Sequence, residues 1–135
     1  MPIKQAVPVL RVADVSRSMA WYCEALGFIG DPFPDRAPYD FAILRHGKTE
    51  IMLRRGTSTA QAEPQPYDWD VYLRLMDAPF RKIFKLLTER SSIINRGMEV
   101  MPYGLTEFEI VDPDGYVICL SQLLDDTSDL PAPRE

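Results

Sequence analysis

The amino-acid sequence says the same thing twice, and no other feature limits its folding as much. Leu10, Arg11 and Asp14 recur 63 residues later as Leu73, Arg74 and Asp77. Phe41, Ile43, Ile51 and Leu53 recur 67 residues later as Phe108, Ile110, Ile118 and Leu120. A unit of this length is one supersecondary module, and two of them predict a pseudo-symmetric domain. The repeat also pairs each position in one half with a counterpart in the other, so a candidate site can be checked within a single chain.

Each half reads β-α-β-β-β. Val7 to Val12 is a β-branched run, followed by Asp14 as a helix cap, an apolar stripe of Val15, Met19, Tyr22 and Leu26, and Gly27 as a stop. Phe28 to Phe33 is a weak strand, and His46-Gly47-Lys48 joins two stronger ones, Phe41 to Leu44 and Glu50 to Arg54. Gly56 to Asp68, with Pro64 and Pro66, reads as a linker. The second half follows with a strand over Asp70 to Met76. Its helix carries Phe80, Ile83, Phe84 and Leu87, 61 residues after their counterparts, which predicts a strand-to-helix link about two residues shorter. Ile93 to Met101 reads as an irregular strand around Gly97. A last hairpin, Glu107 to Val111 and Tyr116 to Gln122, turns on Asp112-Pro113-Asp114-Gly115, a type I turn signature.

Alternation along the strands separates two faces. One parity collects Leu10, Val12, Phe41, Ile43, Ile51, Leu53, Leu73, Leu75, Phe108, Ile110, Ile118 and Leu120, and is expected to pack on the helices. Phe41 therefore reads as core. The other parity is mixed: Val7, Val9, Arg11, Ala42, Glu50, Met52, Arg54, Asp70, Tyr72, Arg74, Glu107, Glu109, Cys119 and Ser121. Such a face either meets water or lines a cleft, and the duplication favours a cleft with a few convergent polar groups. The expected architecture is α+β: two β-α-β-β-β modules, about residues 5–55 and 68–122, forming a curved mixed sheet with helices on its outer face.

The 135 residues fit one domain over 1–124. The net charge is −5. From Asp125 to Glu135 four acids face one Arg, so 125–135 reads as an acidic flexible tail. No basic stripe suggests nucleic acid. No run is long and apolar enough to suggest a membrane span or signal segment, so no membrane partner and a cytoplasmic location are expected. Cys23 and Cys119 have no metal-ligand spacing and read as reduced thiols. His46, the one histidine, reads as a surface turn residue.

This order of elements resembles the vicinal oxygen chelate superfamily, which includes glyoxalase I, extradiol dioxygenases and the bleomycin resistance proteins. The motifs that carry the resemblance are Ala6-Val7-Pro8-Val9-Leu10, the helix segment with Asp14, Ser18, Trp21-Tyr22 and Leu26-Gly27-Phe28, and the closing run from Phe108 to Gly115. They span roughly residues 5 to 122. In metal-dependent members four ligands occupy repeat-equivalent strand positions, which here hold Val7, Met52, Asp70 and Cys119. That set lacks the His, Glu or Gln such chemistry requires. The expectation is no catalytic metal and no cofactor.

The resemblance leans toward the metal-free bleomycin resistance branch, which binds drug in clefts of a dimer. It implies a homodimer with exchange of the N-terminal arm, with Pro8 at the relevant strand. It also implies a small, aromatic ligand stacked on aromatic side chains. The expected ligand-binding residues are Tyr72, Tyr103, Trp69, Arg11, Arg74, Asp70, Glu109 and Phe33. The arginines either cancel against the acids or grip a carboxylate or phosphate. The functional reading is a binding protein that sequesters an aromatic antibiotic or metabolite. The alternatives are an enzyme of the superfamily (lyase, isomerase or dioxygenase type) using non-standard residues, acid–base chemistry by Asp70, Glu50 or Glu109, a Cys119 nucleophile, or a protein–protein module.

Overall fold

A computed structural model describes residues 1–90 and 93–127. The chain divides into two compact units, the first Met1–Ala60 and the second beginning at Gln61. Most of the expected tail, from residue 128 on, lies outside the described residues.

The first unit contains β1 (Val9–Val12), α1 (Val15–Leu26), β2 (Ile29–Phe33), β3 (Phe41–His46) and β4 (Thr49–Arg55). Its sheet runs β1-β4-β3-β2, with β1 parallel to β4 and the other pairs antiparallel. α1 begins and ends as expected. The Asp14 carboxylate accepts the Arg17 N–H, and Gly27 takes the left-handed conformation (φ 74°) that a side chain would resist. Buried Val15, Ser18 and Tyr22 form its packed face.

The second unit repeats the plan with β5 (Val71–Leu75), α2 (Phe80–Glu89), β6 (Ile93–Val100), β7 (Leu105–Val111) and β8 (Val117–Leu123), in the order β5-β8-β7-β6. Phe108 of β7 meets Phe80 and Phe84 of α2 at ring-centroid distances of 5.1 and 5.0 Å. Leu120 and Ile118 lie opposite Phe108 and Ile110 and complete this helix-side core.

The repeat holds, but its phase differs from the sequence expectation in two places. The buried residues of β3 are Ala42 and Leu44, paired with Leu53 and Ile51, while Phe41 and Ile43 face the other way. Ala42 and Leu44 are thus the counterparts of Phe108 and Ile110, a displacement of 66 and not 67. The cause is the turn. Arg45 and Glu50 flank four residues, whereas Val111 and Val117 flank five. Asp112 stabilises the longer turn by accepting the N–H groups of Asp114 and Tyr116. The strand-to-helix link also differs from the expected shortening. It is Ala13-Asp14 in the first unit and Met76-Asp77-Ala78-Pro79 in the second, so it has gained two residues. The buried Gln122 amide clamps the longer link, accepting from the Ala78 N–H and donating to the Ala78 carbonyl.

Beyond β8, Leu124–Asp126 forms a single 3-10 turn. Gln122 donates to the Asp126 carbonyl and to the Thr127 hydroxyl, so the start of the expected tail is tied back to the sheet.

Candidate functional site

The face of the second sheet opposite α2 carries the densest polar cluster among the described residues. Glu107 and Glu109 on β7 are fully buried there. Burying two carboxylates 2 residues apart on one strand face requires counter-charge and hydrogen bonds. Arg96 supplies the charge. Its Nη2 donates to Glu107 Oε1 at 2.6 Å, its Nε to Glu109 Oε2 at 2.5 Å and its Nη1 to Glu99 Oε1 at 2.8 Å. Two irregularities in the β6–β7 register, between Ile94 and Arg96 and between Arg96 and Glu99, direct this side chain onto both glutamates.

Aromatic heads supply the remaining donors. Tyr72 Oη donates to Glu107 Oε2 at 2.8 Å, and Tyr103 Oη donates to the same oxygen. Trp69 Nε1 donates to Glu109 Oε2 at 3.0 Å, and Asn95 Nδ2 to Glu109 Oε1 at 2.9 Å. Tyr67 donates its backbone N–H to Glu109 and its hydroxyl to Glu99, and the Arg96 guanidinium lies 4.3 Å from its ring centre. Tyr67 has φ 70°, a costly conformation for a bulky residue, and the geometry turns its N–H toward Glu109.

The electrostatics follow from these contacts. Burial opposes the charge on Glu107, but hydrogen bonds from Tyr103, Arg96 and Tyr72 outweigh it and hold the carboxyl below its ordinary range. Burial would also weaken the Arg96 cation, and its bonds to Glu107, Glu109 and Glu99 more than compensate. Burial, then the bond to the Glu107 carboxylate, raises the Tyr103 phenol. Cys119, opposite both Tyr72 and Glu109, is pushed up by burial and by Glu107, which keeps it a thiol at neutral pH.

Four of the expected ligand-binding residues, Trp69, Tyr72, Tyr103 and Glu109, thus meet in one cluster. Arg74 reaches its edge, 5.8 Å from the Tyr72 ring centre. Asp70 plays a backbone role, its Oδ2 accepting the Val117 N–H at 2.9 Å. Phe33 and Arg11 belong to the first unit. Phe33 lies against Phe41 with centroids 6.0 Å apart, and Arg54 sits 5.7 Å over the Phe41 ring. Arg11 is exposed and opposite Arg54 in the β1–β4 pair. Arg96, Glu99 and Tyr67 were not foreseen. A cationic residue in an irregular strand opposite two acids was the available signal for Arg96.

The positions that would carry metal ligands do not form a donor set. Val7 has no donor, Met52 only a thioether, Asp70 is engaged with Val117, and Cys119 is a buried thiol. Among the described residues no group of three or more His, Cys, Asp or Glu is arranged to hold a metal ion.

The duplicated β-α-β-β-β plan finds its match in sequence as well, since the family profile fits residues 4–120. The chain belongs to the Glyoxalase/Bleomycin resistance protein/Dioxygenase superfamily. Solved structures share the superfamily fold. TioX from Micromonospora sp. ML1 is 20% identical with a TM-score of 0.68, over 88% of this chain and 95% of that one. A glyoxalase-related enzyme from Clostridium phytofermentans is 16% identical with a TM-score of 0.72, over 91% and 97%. A glyoxalase/bleomycin resistance protein/dioxygenase from Alicyclobacillus acidocaldarius is 16% identical with a TM-score of 0.71, over 91% and 93%. No curated protein matches the chain. At these identities the likeness carries the superfamily fold and not an activity.

Proposed function

We propose that this superfamily member is a metal-free small-molecule-binding protein whose ligand carries an aromatic ring. One observation carries the reading: Trp69 and Tyr103 are anchored by their polar heads to buried carboxylates, yet remain 38% and 52% exposed. Rings held in fixed orientation with open surface are prepared for stacking at little entropic cost. The same proposal has it sequester an aromatic antibiotic or metabolite in the cytoplasm. No helix among the described residues is long and apolar enough to cross a membrane.

An enzymatic reading has less support. Glu107 is held as a weak base, and Cys119 is a protonated, buried thiol without a histidine partner. A homodimer with exchanged N-terminal arms belongs to the same proposal. Its support is that Met1 to Gln5 is exposed and precedes the sheet, with Pro8 contributing only its carbonyl, to the Met52 N–H.

The test is a thermal-shift screen over aromatic antibiotics, thiol conjugates and small organic acids, repeated with Trp69→Ala and Tyr103→Ala. A native-state ligand raises Tm by mass action. A shift with aromatic compounds that both substitutions abolish is expected. A shift confined to small non-aromatic acids would overturn the proposal in favour of an arginine-centred metabolite site, and none at all would favour a protein–protein module. Light scattering at the monomer mass of 15.4 kDa would refute the dimer.

A further inference from the structure

We infer that the sheet face of the first unit away from α1 binds a small aromatic carboxylate, held at its carboxylate by Arg54 and Arg11 and along its ring by Phe41 and Phe33. The site stands on the first unit alone and does not rest on the exposed rings of the second.

Strand pairing lays these four residues in one row. Arg11 of β1 lies opposite Arg54 of β4, Arg54 opposite Phe41 of β3, and Phe41 opposite Phe33 of β2. The row passes from two cations to two rings across all four strands. Partners on adjacent strands stand about 4.8 Å apart, so the two oxygens of one carboxylate can bridge both arginines. The Phe33 and Phe41 rings are 30° from parallel with centroids 6.0 Å apart, and Phe33 is exposed. Two residues along the strands, roughly 6.7 Å away, Val9, Met52 and Ile43 form the next row, apolar and open in part. A ring system whose carboxylate rests on the arginines would cover them.

Charge placement says what the occupant must carry. The strands of this unit contain two acids, Asp31 and Glu50, and both face Arg45, at 3.7 and 3.6 Å. Asp40, just before β3, pairs with Arg55 at 2.7 Å. Arg54 is left with the Phe41 ring, 5.7 Å from its guanidinium carbon, and with no carboxylate among the described residues. Like charges directly opposite on neighbouring strands are destabilising, and a shared anion relieves that repulsion. Guanidinium forks match a planar carboxylate in geometry as well as charge. The rings and the apolar row beside them favour an anion with a flat apolar body over a fully hydrated one.

Isothermal titration with 2-naphthoate tests this, against 2-naphthylmethylammonium (the same rings with opposite charge) and acetate (the head alone). The wild type is expected to bind 2-naphthoate with a Kd of about 1 mM or tighter, and the other two clearly more weakly. Arg54 is exposed, so its replacement leaves the core intact. Arg54→Gln is expected to weaken naphthoate binding roughly 10- to 100-fold. Arg54→Lys should weaken it less, because the charge remains and only the fork is lost. Arg55→Gln removes the same charge from the opposite face of β4 and should change Kd by less than about twofold. No naphthoate binding, equal binding of the naphthyl cation, or equal losses in Arg54→Gln and Arg55→Gln would overturn the site. An aromatic response that needs Trp69 and Tyr103, but neither a carboxylate nor Arg54, would remove this site and leave the proposed function standing. Naphthoate binding that needs Arg54 and not those two rings would do the reverse.

Discussion

The two units share strand order and the sense of each strand pairing, and differ almost completely on the sheet face away from the helix. Once the phase is corrected, Phe41 answers to Glu107, Ile43 to Glu109, Met52 to Cys119, Arg54 to Ser121 and Val9 to Tyr72. In the first unit that face has an apolar centre of Val9, Phe41, Ile43 and Met52, partly open and flanked by Arg11, Arg54 and the Arg45–Glu50 pair, with Arg54 over Phe41. In the second it is polar and buried, its acids matched bond by bond. The helix-side face is apolar in both. The fold therefore constrains one parity of each strand and leaves the other free to diverge, and the second unit has used that freedom to bury charge.

The comparison can be broken most directly at its phase. Phe108→Ala removes a fully buried ring from the helix-side core and should cost about 3–5 kcal/mol in urea unfolding. Phe41→Ala, at the position the repeat would equate with it, should cost less than about half as much; equal costs would restore the displacement of 67. The Gln122 clamp, present only in the second unit, comes next. Gln122→Ala leaves the Ala78 N–H without its partner and should cost about 1–3 kcal/mol, measured in the same way.

Acid separates the units further. Because the Glu107 pKa is lowered in the folded state, its contribution is full above the unfolded carboxyl value of ~4.3 and is lost as pH falls through the lower folded value. Trp69 fluorescence should report that loss on acid titration, and Glu107→Gln should flatten the profile; an unchanged profile would show that the cluster is not ionised as described. A smaller effect is expected at Asp14, whose capping of α1 has no side-chain equivalent at Pro79 of α2. Asp14→Ala should cost about 0.5–2 kcal/mol. The smallest is at Thr106, whose buried hydroxyl has no hydrogen-bond partner among the described residues. Thr106→Val should be neutral or slightly stabilising by the same unfolding measurement.

Much of this fold was legible because its signals are local. Asp14 and Gly27 bracket α1, and Asp112-Pro113-Asp114-Gly115 announces the last turn. The phase of β3 was not legible, because Phe41-Ala42-Ile43-Leu44 is apolar on both parities and alternation cannot choose a face. Turn length chose it. In the site, Trp69, Tyr72, Tyr103 and Glu109 could be named from strand parity and from the superfamily resemblance. Parity could not place Arg96, because bulges abolish the period by which a strand face is read; only its charge in an irregular strand opposite two acids pointed to it. Nor could parity place Tyr67, since it lies in a segment with the composition of a linker and meets Glu109 through a backbone N–H that no side-chain pattern announces.

The bulged β6 strand also bears on how this site can change over generations. From Ile93 to Glu99 it takes seven residues to pass the five of β7 from Val111 to Glu107. An exchange such as Glu99→Gln weakens one partly exposed contact and leaves the rest in place. Loss of a single codon between Asn95 and Glu99 would shift the phase of everything beyond it and detach the arginine from its acids. The site is thus tolerant of spelling and intolerant of length, and relatives that share its chemistry should conserve the count of residues in this strand more strictly than their identities.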